Sequence, residues 1–258
     1  MRQRINVQSR RPWTLLDPAY TSWVRYSLII MSASSTSSLV CIALALQTVT
    51  FAAGVTYNFS ELGGLHDDMS EEAAWANGRL FNKSLSNLAS GDVLLFPNTT
   101  FYMMGGVKAE GLTNVTIQFD GTILFSKDMK SWPRDGATTK AHVHECMHFI
   151  SCDHMTFTSS GKGLIDGNGA VWWGIPGIGY LARQENRPRL LNIENAKHNL
   201  VENIILKNSP YWTFWAHGVE FLEVRNVDIS ARRTESDGHG IIDLTAFNTD
   251  GFDVAGSY

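Results

Sequence analysis

The sequence predicts an all-β chain that winds as a parallel β-helix, a solenoid of short stacked strands, behind one N-terminal capping helix. Two observations support this fold class. A short phrase of strand-forming residues recurs along the second half of the chain, whereas a convincing helix pattern occurs once, ahead of the repeats. Glycines punctuate the same region at the close spacing that frequent turns require, namely Gly161, Gly163, Gly167 and Gly169.

Composition limits the class of protein. The 258 residues are 44% hydrophobic and 18% charged, which excludes a disordered chain and leaves room for one large domain or two small ones. No uninterrupted apolar run reaches about 18 residues, so a polytopic membrane protein is excluded. The formal net charge is −4, but residues 1–54 carry five basic residues and one acidic residue, so the remainder has a net charge of −8. Such an acidic chain is a poor candidate for nucleic-acid binding.

The first 54 residues are typical of a targeting segment. Residues 31–54 have an apolar centre, end in small residues and contain no acidic side chain, which predicts a secretory signal peptide. Residues 1–30 are then an upstream extension, either translated sequence before a start at Met31 or a long first region of the signal. A buried helix and a retained membrane anchor are the alternatives. We expect a secreted, extracellular protein without membrane attachment after cleavage.

Two further features bear on secretion. Four N-glycosylation sequons occur within about sixty residues after the signal, which supports the secretory route. Their acceptor residues are Asn58, Asn82, Asn98 and Asn114. Two cysteines follow, Cys146 and Cys152, which either close a short disulfide loop or are two free buried thiols.

Residues 55–104 are predicted to form the N-terminal cap and the first strand. Asp68 and Glu71 fit a helix capping box, and the apolar residues after them predict a helix that ends near Leu88. Residues 91–97 then predict a strand between two turn signals. In this interpretation the helix covers the first coil, whose open strand edge would otherwise favour aggregation.

Residues 105–258 are predicted to form the parallel β-helix. The recurring phrase begins at Asn114, His154, Asn203 and Asn226, and its copies are 40, 49 and 23 residues apart. These distances fit two, two and one units of a period of about 20–25 residues, which is typical of a solenoid. Asparagine at the start of the phrase suits a tight left-handed turn and can hydrogen-bond along a stack. An antiparallel β-sandwich with chance repeats is the alternative.

Three motifs carry a resemblance to a known family. They are GLIDGNGAVWW at 163–173, NSPYW at 208–212 and NTDGFD at 248–253. In this order they resemble the polygalacturonase-like glycoside hydrolases of family 28, in the pectin-lyase-like superfamily. The resemblance implies a right-handed parallel β-helix, secretion, and hydrolysis of α-1,4-galacturonosidic bonds in pectin. It also implies inversion of configuration, pectic galacturonan as the binding partner, and no metal or other cofactor.

The third motif carries the chemistry. Inverting hydrolysis needs a carboxylic acid that protonates the leaving oxygen and a carboxylate, roughly 6.5–9.5 Å away, that activates water on the opposite face. By resemblance, Asp250 is a catalytic carboxylate on the water side and Asn248 shapes the neighbouring sugar subsite. Asp253 is expected to be structural, because an extended segment would put residues 250 and 253 on opposite faces. A turn-capping role is the alternative for Asp250.

The chain departs from the family pattern after Asp253. The family has an adjacent Asp-Asp pair about one coil later, then Gly-His-Gly and Arg-x-Lys, and no such pair follows here. We therefore expect a C-terminally truncated hydrolase with negligible activity, since a general acid contributes about 10²- to 10⁴-fold. The Gly-His-Gly at 238–240 precedes the catalytic motif and is expected to be a turn. An open last coil would also favour self-association.

Several other residues are candidate ligands of the substrate. Arg232 and Arg233 are candidates for binding its carboxylates, because an acidic chain needs local cations to attract a polyanion. A solvated loop is the alternative, and the same interpretation covers Arg183, Arg187 and Arg189. The aromatic cluster at 211–215 is expected to be mostly core, with one ring that stacks on sugar.

Metal and cofactor sites are not expected. The histidines between 142 and 148 are clustered, but no cysteine pair or carboxylate pattern accompanies them, so they are weak candidates for a metal site. No phosphate-binding loop, serine-nucleophile elbow or zinc-protease motif occurs.

Two classes of function are therefore compared. The first is a polygalacturonase-like hydrolase, and the second is a non-catalytic β-helix module that binds cell-wall polysaccharide. A polysaccharide lyase on the same fold is disfavoured by the Asn-Thr-Asp phrase. Neither endo nor exo action follows from the motifs.

Overall fold

The computed structural model describes residues 54–138, 140–161, 163–174, 185–233 and 245–257. The predicted upstream extension and the signal peptide, apart from Gly54, lie outside the described residues. The described strands form three sheets in which every pair is parallel.

The chain visits the three sheets in a fixed order. The first sheet consists of β1 (Thr56–Asn58), β2 (Val93–Phe96), β5 (Thr116–Phe119), β8 (Thr156–Thr158), β11 (Leu200–Glu202) and β14 (Glu223–Arg225). The second consists of β3 (Thr100–Met103), β6 (Thr122–Phe125), β9 (Gly163–Asp166), β12 (Ile204–Lys207) and β15 (Asp228–Ser230). The third consists of β4 (Val107–Glu110), β7 (Met147–Ile150), β10 (Leu191–Glu194), β13 (Phe214–Glu220) and β16 (Phe252–Ser257).

Each pass through the three sheets makes one coil. Coil 1 contains β2–β4, coil 2 β5–β7, coil 3 β8–β10, coil 4 β11–β13 and coil 5 β14–β16. The fold is the right-handed parallel β-helix that was predicted. Long connections join the second sheet to the third, at 126–146, 167–190 and 231–251, whereas the other connections between strands of consecutive sheets are only a few residues long.

The interpretation of the repeat spacing is wrong. Asn114 and His154 precede β5 and β8, which pair with each other, so their 40 residues are one coil and not two. That coil is lengthened by the connection 126–146. His154 precedes a strand of the first sheet, whereas Asn203 precedes a strand of the second sheet. The 49 residues between them are therefore one coil plus the step from one sheet to the next. The unextended coil is the 23 residues from Asn203 to Asn226.

The residues that open the phrases occupy left-handed turns, as predicted. The φ angle is 54° at Asn114, 53° at His154, 56° at Asn203 and 51° at Asn226. Such a turn changes the direction of the chain between two sheets within one or two residues. The stacked corners also interact, since Asn226 Nδ2 donates a hydrogen bond to Asn203 Oδ1 at 3.2 Å.

The capping helix α1 runs from Glu71 to Leu85 and ends before the predicted boundary. Its N-cap is Ser70, whose Oγ accepts a hydrogen bond from the Ala73 amide at 3.1 Å. The predicted capping box is wrong, because Asp68 lies before the cap and accepts from the Ser70 amide instead. In the described ranges α1 is the one α-helix, and it is too short and too polar to span a bilayer.

Asn77 of α1 completes an open strand edge. Its Nδ2 donates hydrogen bonds to the carbonyl groups of Leu65 and Tyr102, both at 2.8 Å. Its Oδ1 accepts from the Leu65 amide, also at 2.8 Å. The side chain is fully buried, so these bonds replace those that a preceding strand would make to β3.

Asn82 repeats this arrangement at the third sheet. Its Nδ2 donates to the Gly106 carbonyl at 3.0 Å, and its Oδ1 accepts from the Lys108 amide at 2.7 Å. The helix approaches closely here, because a Cβ atom on Gly78 would lie 2.8 Å from the Met104 carbonyl oxygen. With β1 paired to β2 in the first sheet, coil 1 is covered on all three sheets, as the capping-helix prediction requires.

Alternate side chains of each strand fill the solenoid. In the first two coils, Phe96 and Phe119 occupy equivalent positions and stack with ring centroids 5.3 Å apart. Both are fully buried. Such stacking follows from parallel register, since equivalent inward positions of neighbouring coils are one strand spacing of about 4.8 Å apart.

The two cysteines are both free and buried, so the disulfide alternative is wrong. Cys146 precedes β7 and Cys152 follows it, which places an extended strand between them. Six residues of strand span about 20 Å, and a disulfide requires Cα atoms within about 7 Å. Burial raises the pKa of both thiols, which lowers their reactivity.

Candidate active site

The outer face of the third sheet carries one row of polar and aromatic residues. Strand register aligns Lys108, His148, Asn192, Trp215 and Asp253 across β4, β7, β10, β13 and β16. The residues before and after each of them point into the core, because alternate residues of a strand face opposite sides. The row is therefore the floor on which a ligand could lie along the solenoid.

An open pocket with a volume of about 480 Å³ lies over the first four members of this row. Its wall is the long connection of coil 2, which contributes Asp135, His142, His144 and Glu145. The connection therefore converts a flat sheet face into a concave site.

Arg189 organises the aromatic side of the pocket. Its guanidinium carbon lies 4.8 Å from the ring centroid of Trp212 and 4.6 Å from that of Trp215. The same guanidinium forms an ion pair with the buried carboxylate of Glu145 at 2.5 Å. Removal of either charge would leave the other one buried and uncompensated. The alternative of a solvated loop is wrong for Arg187, which is 3% exposed, and for Arg189, whose side chain is 22% exposed and paired. Arg183 lies outside the described residues.

The other carboxylates that line the pocket also have basic partners. Glu194 lies 3.0 Å from the imidazole of His148, and Asp135 lies 3.0 Å from that of His144. Lys108 is exposed and forms no ion pair with any described residue. Its ammonium group is therefore available to a ligand in the pocket.

Asp250 lies at the far end of the same face. The Thr213 amide donates a hydrogen bond to the Asp250 carbonyl at 2.9 Å, which extends the pairing of β13 with β16 backwards. Equivalent backbone hydrogen bonds connect the earlier coils just before their strands begin. They align a second line of residues across the third sheet, which consists of Glu145, Arg189, Trp212 and Asp250. The side chain of Asp250 is exposed, and this residue follows Trp212 in the line.

Asn248 occupies a left-handed turn, with φ of 55°, just before the catalytic candidate. Its Oδ1 is buried and accepts no hydrogen bond from the described residues. The segment is held in place by Thr249, whose Oγ1 donates to the Ala246 carbonyl at 2.9 Å. A fixed turn with an amide oxygen of unused capacity is compatible with the predicted role of Asn248 in a subsite.

Residues 250–253 do not form one extended segment, so the reason given for placing Asp250 and Asp253 on opposite faces is wrong. β16 begins at Phe252, after the turn that carries Asp250. Phe252 packs inward against Phe214, with ring centroids 5.5 Å apart, and Asp253 is in register with Trp215 on the outer row. Both carboxylates therefore belong to the same face of the solenoid.

The two arginines predicted to bind substrate lie in the connection after β15 and do not line the described pocket. Arg233 lies across two connections: Nε donates to Thr245 Oγ1 at 2.5 Å and Nη2 to the Ala170 carbonyl at 3.0 Å. The Arg232 amide donates to Asn208 Oδ1 at 3.2 Å. The Gly-His-Gly at 238–240 lies outside the described residues.

The sequence analysis considered His148, Arg189 and Trp215 separately, but it missed Lys108 and the assembly of these residues into one pocket. Lys108, His148 and Trp215 belong to three different coils that are separated by connections of unequal length. Only the strand register brings them together. An alignment of coils on their inward residues would have aligned these outward residues as well.

Comparisons with known proteins identify relatives of this chain. Exopolygalacturonase A of Aspergillus niger is 26% identical over 168 residues, which are 64% of this chain and 36% of that protein. The crystal structure of endo-xylogalacturonan hydrolase from Aspergillus tubingensis matches with a TM-score of 0.55 and 22% identity, covering 79% of this chain and 48% of that one. The exopolygalacturonase from Thermotoga maritima matches with a TM-score of 0.52 and 20% identity, covering 71% and 48%.

The chain thus spans less than half the length of these relatives. The structural matches establish the fold. The family model described as "Glycosyl hydrolases family 28" matches residues 94–258, a range that includes all five coils and the NTDGFD motif, and the chain therefore belongs to glycosyl hydrolase family 28.

Proposed function

We propose that this chain is the N-terminal part of a secreted hydrolase that cleaves α-1,4-galacturonosidic bonds in pectin with inversion of configuration. Family membership and the names of the relatives support the reaction class. The observation that carries the proposal is that backbone pairing aligns the exposed Asp250 with Trp212 and Arg189 at the starts of consecutive strands of the third sheet. In this role Asp250 activates the attacking water as a general base.

Two basic side chains of the pocket are relevant to an acidic substrate. Arg189 is paired with Glu145, whereas Lys108 forms no ion pair with any described residue. A galacturonan chain carries one carboxylate on each sugar, so an unpaired ammonium in a concave site would attract it. The exposed part of Trp215 offers an aromatic surface for a sugar ring.

We further propose that the 258-residue chain alone does not hydrolyse galacturonan. The family's adjacent Asp-Asp pair, which supplies the general acid, does not occur after Asp250 in this sequence. A base without its acid loses about 10²- to 10⁴-fold in rate. Asp253 shares the outer face and is the one carboxylate that could contradict this expectation.

The test measures binding and hydrolysis separately on the full chain. Oligogalacturonate binding is followed by calorimetry, and polygalacturonate cleavage by release of reducing ends. We expect binding without cleavage. Lys108→Ala should weaken binding about fivefold, because one partly solvated charge contributes about 1 kcal/mol. The matched control is Lys83→Ala, which removes an exposed lysine of α1 outside the pocket.

Three outcomes would contradict the proposed substrate, the proposed inactivity of this chain or the proposed role of Asp250. Absence of binding to any galacturonan oligomer would reject the proposed substrate. Cleavage that Asp250→Asn abolishes would keep the hydrolase but reject the inactivity of this chain, and Asp253→Asn would then test the second carboxylate. Cleavage unaffected by Asp250→Asn would reject its catalytic role.

The second candidate function is a non-catalytic module that binds cell-wall polysaccharide. The pocket over coils 1–4 favours it, because its lining does not include Asp250. This candidate predicts full affinity in Asp250→Asn and no cleavage by any longer product of the same gene. The hydrolase proposal predicts cleavage by such a product.

Secretion and glycosylation are proposed with the hydrolase. Asn98 and Asn114 are exposed and Asn58 is half-buried, whereas the amide of Asn82 is engaged with the edge of β4. We therefore expect glycans at Asn98 and Asn114 and an unmodified Asn82. Peptide mass mapping of the secreted protein would contradict this expectation if Asn82 were occupied.

Self-association through coil 5 is the remaining partner proposal. Its strands β14–β16 are the last of their sheets, and Val254 is 51% exposed among the described residues. Unpaired strand edges favour association with a second copy. Sedimentation that does not depend on protein concentration would reject this proposal.

A further inference from the structure

A cluster of two histidines and one aspartate lies at the corner between the third and first sheets. Asp153 and His154 belong to the turn before β8, and His198 belongs to the turn before β11. One oxygen of Asp153, Oδ1, lies 2.9 Å from Nδ1 of His154 and 2.9 Å from Nδ1 of His198. One potential ligand atom from each residue lies within 4.8 Å of the others.

The backbone fixes this cluster. Asp153 forms a parallel bridge with Lys197, and the His154 amide donates to the Lys197 carbonyl at 3.0 Å. His154 and His198 therefore occupy the same position in consecutive coils, both with left-handed backbone. Their rings stack with centroids 4.5 Å apart, and Phe221 supports the second ring at 5.0 Å.

The cluster is separate from the candidate active site. It lies beyond the ends of β7 and β10, whereas Arg189, Trp212 and Asp250 lie at the starts of strands. None of its three residues lines the pocket. Nothing in the proposed hydrolysis uses it.

We propose that Asp153, His154 and His198 bind one divalent transition-metal ion, with Zn²⁺ as the representative, and that the ion links coils 3 and 4. Two imidazole nitrogens and one carboxylate oxygen are ligands that Zn²⁺ and its neighbours prefer, whereas Ca²⁺ and Mg²⁺ prefer all-oxygen sites. Water occupies the remaining coordination positions. This site is independent of the proposed function.

Binding requires a change of protonation and a small rotation. Each imidazole now donates its Nδ1–H to Asp153, and this proton must leave Nδ1 before a metal ion can bind there: a neutral ring moves it to Nε2, and a charged ring releases it. The two stacked rings must turn so that both Nδ1 lone pairs converge on the ion. Both histidines are exposed, so solvent leaves room for these rotations, and the metal–nitrogen bonds replace the stacking and hydrogen bonds that the rings give up.

Zn²⁺ titration of the untagged full chain, followed by calorimetry, tests the proposal. We expect one ion per chain, a higher melting temperature with Zn²⁺, and no such effect with Ca²⁺. His154→Asn and His198→Asn should each weaken Zn²⁺ binding by at least about tenfold, since even the loss of a supporting contact weakens metal sites about 10- to 100-fold. Asparagine preserves the turn, because Asn114 holds the same corner one coil earlier.

A matched control separates this site from unspecific histidine binding. His66 is exposed and lies 3.0 Å from Asp67, but no second histidine completes that pair into a described cluster. His66→Asn should leave the affinity unchanged. The proposal is overturned if wild-type protein binds no Zn²⁺, or if His66→Asn weakens binding as much as His198→Asn.

A second measurement covers the case in which the histidine variants fail to fold. Imidazole NMR signals of the wild-type chain are recorded during the Zn²⁺ titration. We expect the signals of His154 and His198 to shift together and those of His66 to remain. Shifts confined to other histidines would overturn the proposal without any variant.

Discussion

The two ends of the solenoid satisfy their strand edges in different ways. At coil 1, β1 pairs with the first sheet, and the buried amides of Asn77 and Asn82 hydrogen-bond to the edges of the other two. At coil 5, the described residues offer no strand or helix on the outer side of β14–β16, and Val254 and Phe221 are 51% and 61% exposed. In a solenoid each coil is stabilised by its neighbours, so a coil covered on one side has about half the support.

The largest expected difference between the two ends is the loss of stability when one phenylalanine ring is removed from each. Phe81→Ala removes a fully buried ring that contacts Phe96 at 4.8 Å, and we expect a loss of about 3–5 kcal/mol in the free energy of unfolding. Phe252→Ala at coil 5 removes a half-buried ring and should cost about 1–2 kcal/mol. Urea unfolding measures both. Equal losses would show that the two ends are equally well packed.

The next contrast concerns polar capping. Asn77→Ala leaves the Leu65 amide and the Leu65 and Tyr102 carbonyls without their partner, which should cost about 2–3 kcal/mol. The control is Asn87→Ala, an exposed residue after the same helix whose amide donates to Lys83 at 2.9 Å. Thermal unfolding of the two variants checks this. Alanine favours a helix more than asparagine does, so any loss in Asn77→Ala is not a propensity effect, and a similar loss in both variants would contradict the edge-capping role of Asn77.

The smallest expected difference concerns hydrogen bonds between coils 2 and 3 whose contribution to stability depends on pH. Burial raises the pKa of Asp120, but hydrogen bonds from Ser160, Gln118 and Ser159 outweigh it, so the net pKa lies below the ordinary 3.8. Its contribution is therefore present above pH 3.8 and is lost as the pH falls through the folded-state pKa. Asp120→Asn should cost about 1 kcal/mol at pH 7 and less below pH 3.5.

Unfolding of Asp120→Asn and wild type is compared at pH 7 and pH 3. Arg225→Gln is the companion at the other end, where an exposed guanidinium pairs with Glu202 at 2.6 Å. That variant should lose less than about 1 kcal/mol, and the loss should shrink in salt. A loss for Asp120→Asn that stays constant with pH would reject the role of its charge.

Local rules made much of the fold predictable. A left-handed turn depends on one residue and its neighbours, so Asn114 and Asn203 indicated corners correctly. The helix start was misplaced by two residues because Asp68 and Ser70 are both good caps, and only Ser70 aligns with the turn that docks on coil 1. Periods were misjudged because long connections lengthen some coils and not others.

The site was harder to predict than the fold. The NTDGFD motif indicated Asp250 only through the resemblance to the family, and its catalytic role stays a prediction. Lys108, Trp215 and Arg189 meet only through register between distant coils, and no local pattern around each residue records that register. The same is true of His154 and His198, where Asp153 and His198 are 45 residues apart in the chain.

Long excursions leave this solenoid at a single seam, between the second and third sheets, and they return to the same seam without altering the pairing of the strands. The architecture therefore separates what must stay constant from what can vary. Insertions, deletions or grafted segments at 126–146 would reshape the surroundings of the groove while the hydrophobic ladder beneath remained in place. A segment grafted there would therefore change which ligands the pocket accepts without a redesign of the coils.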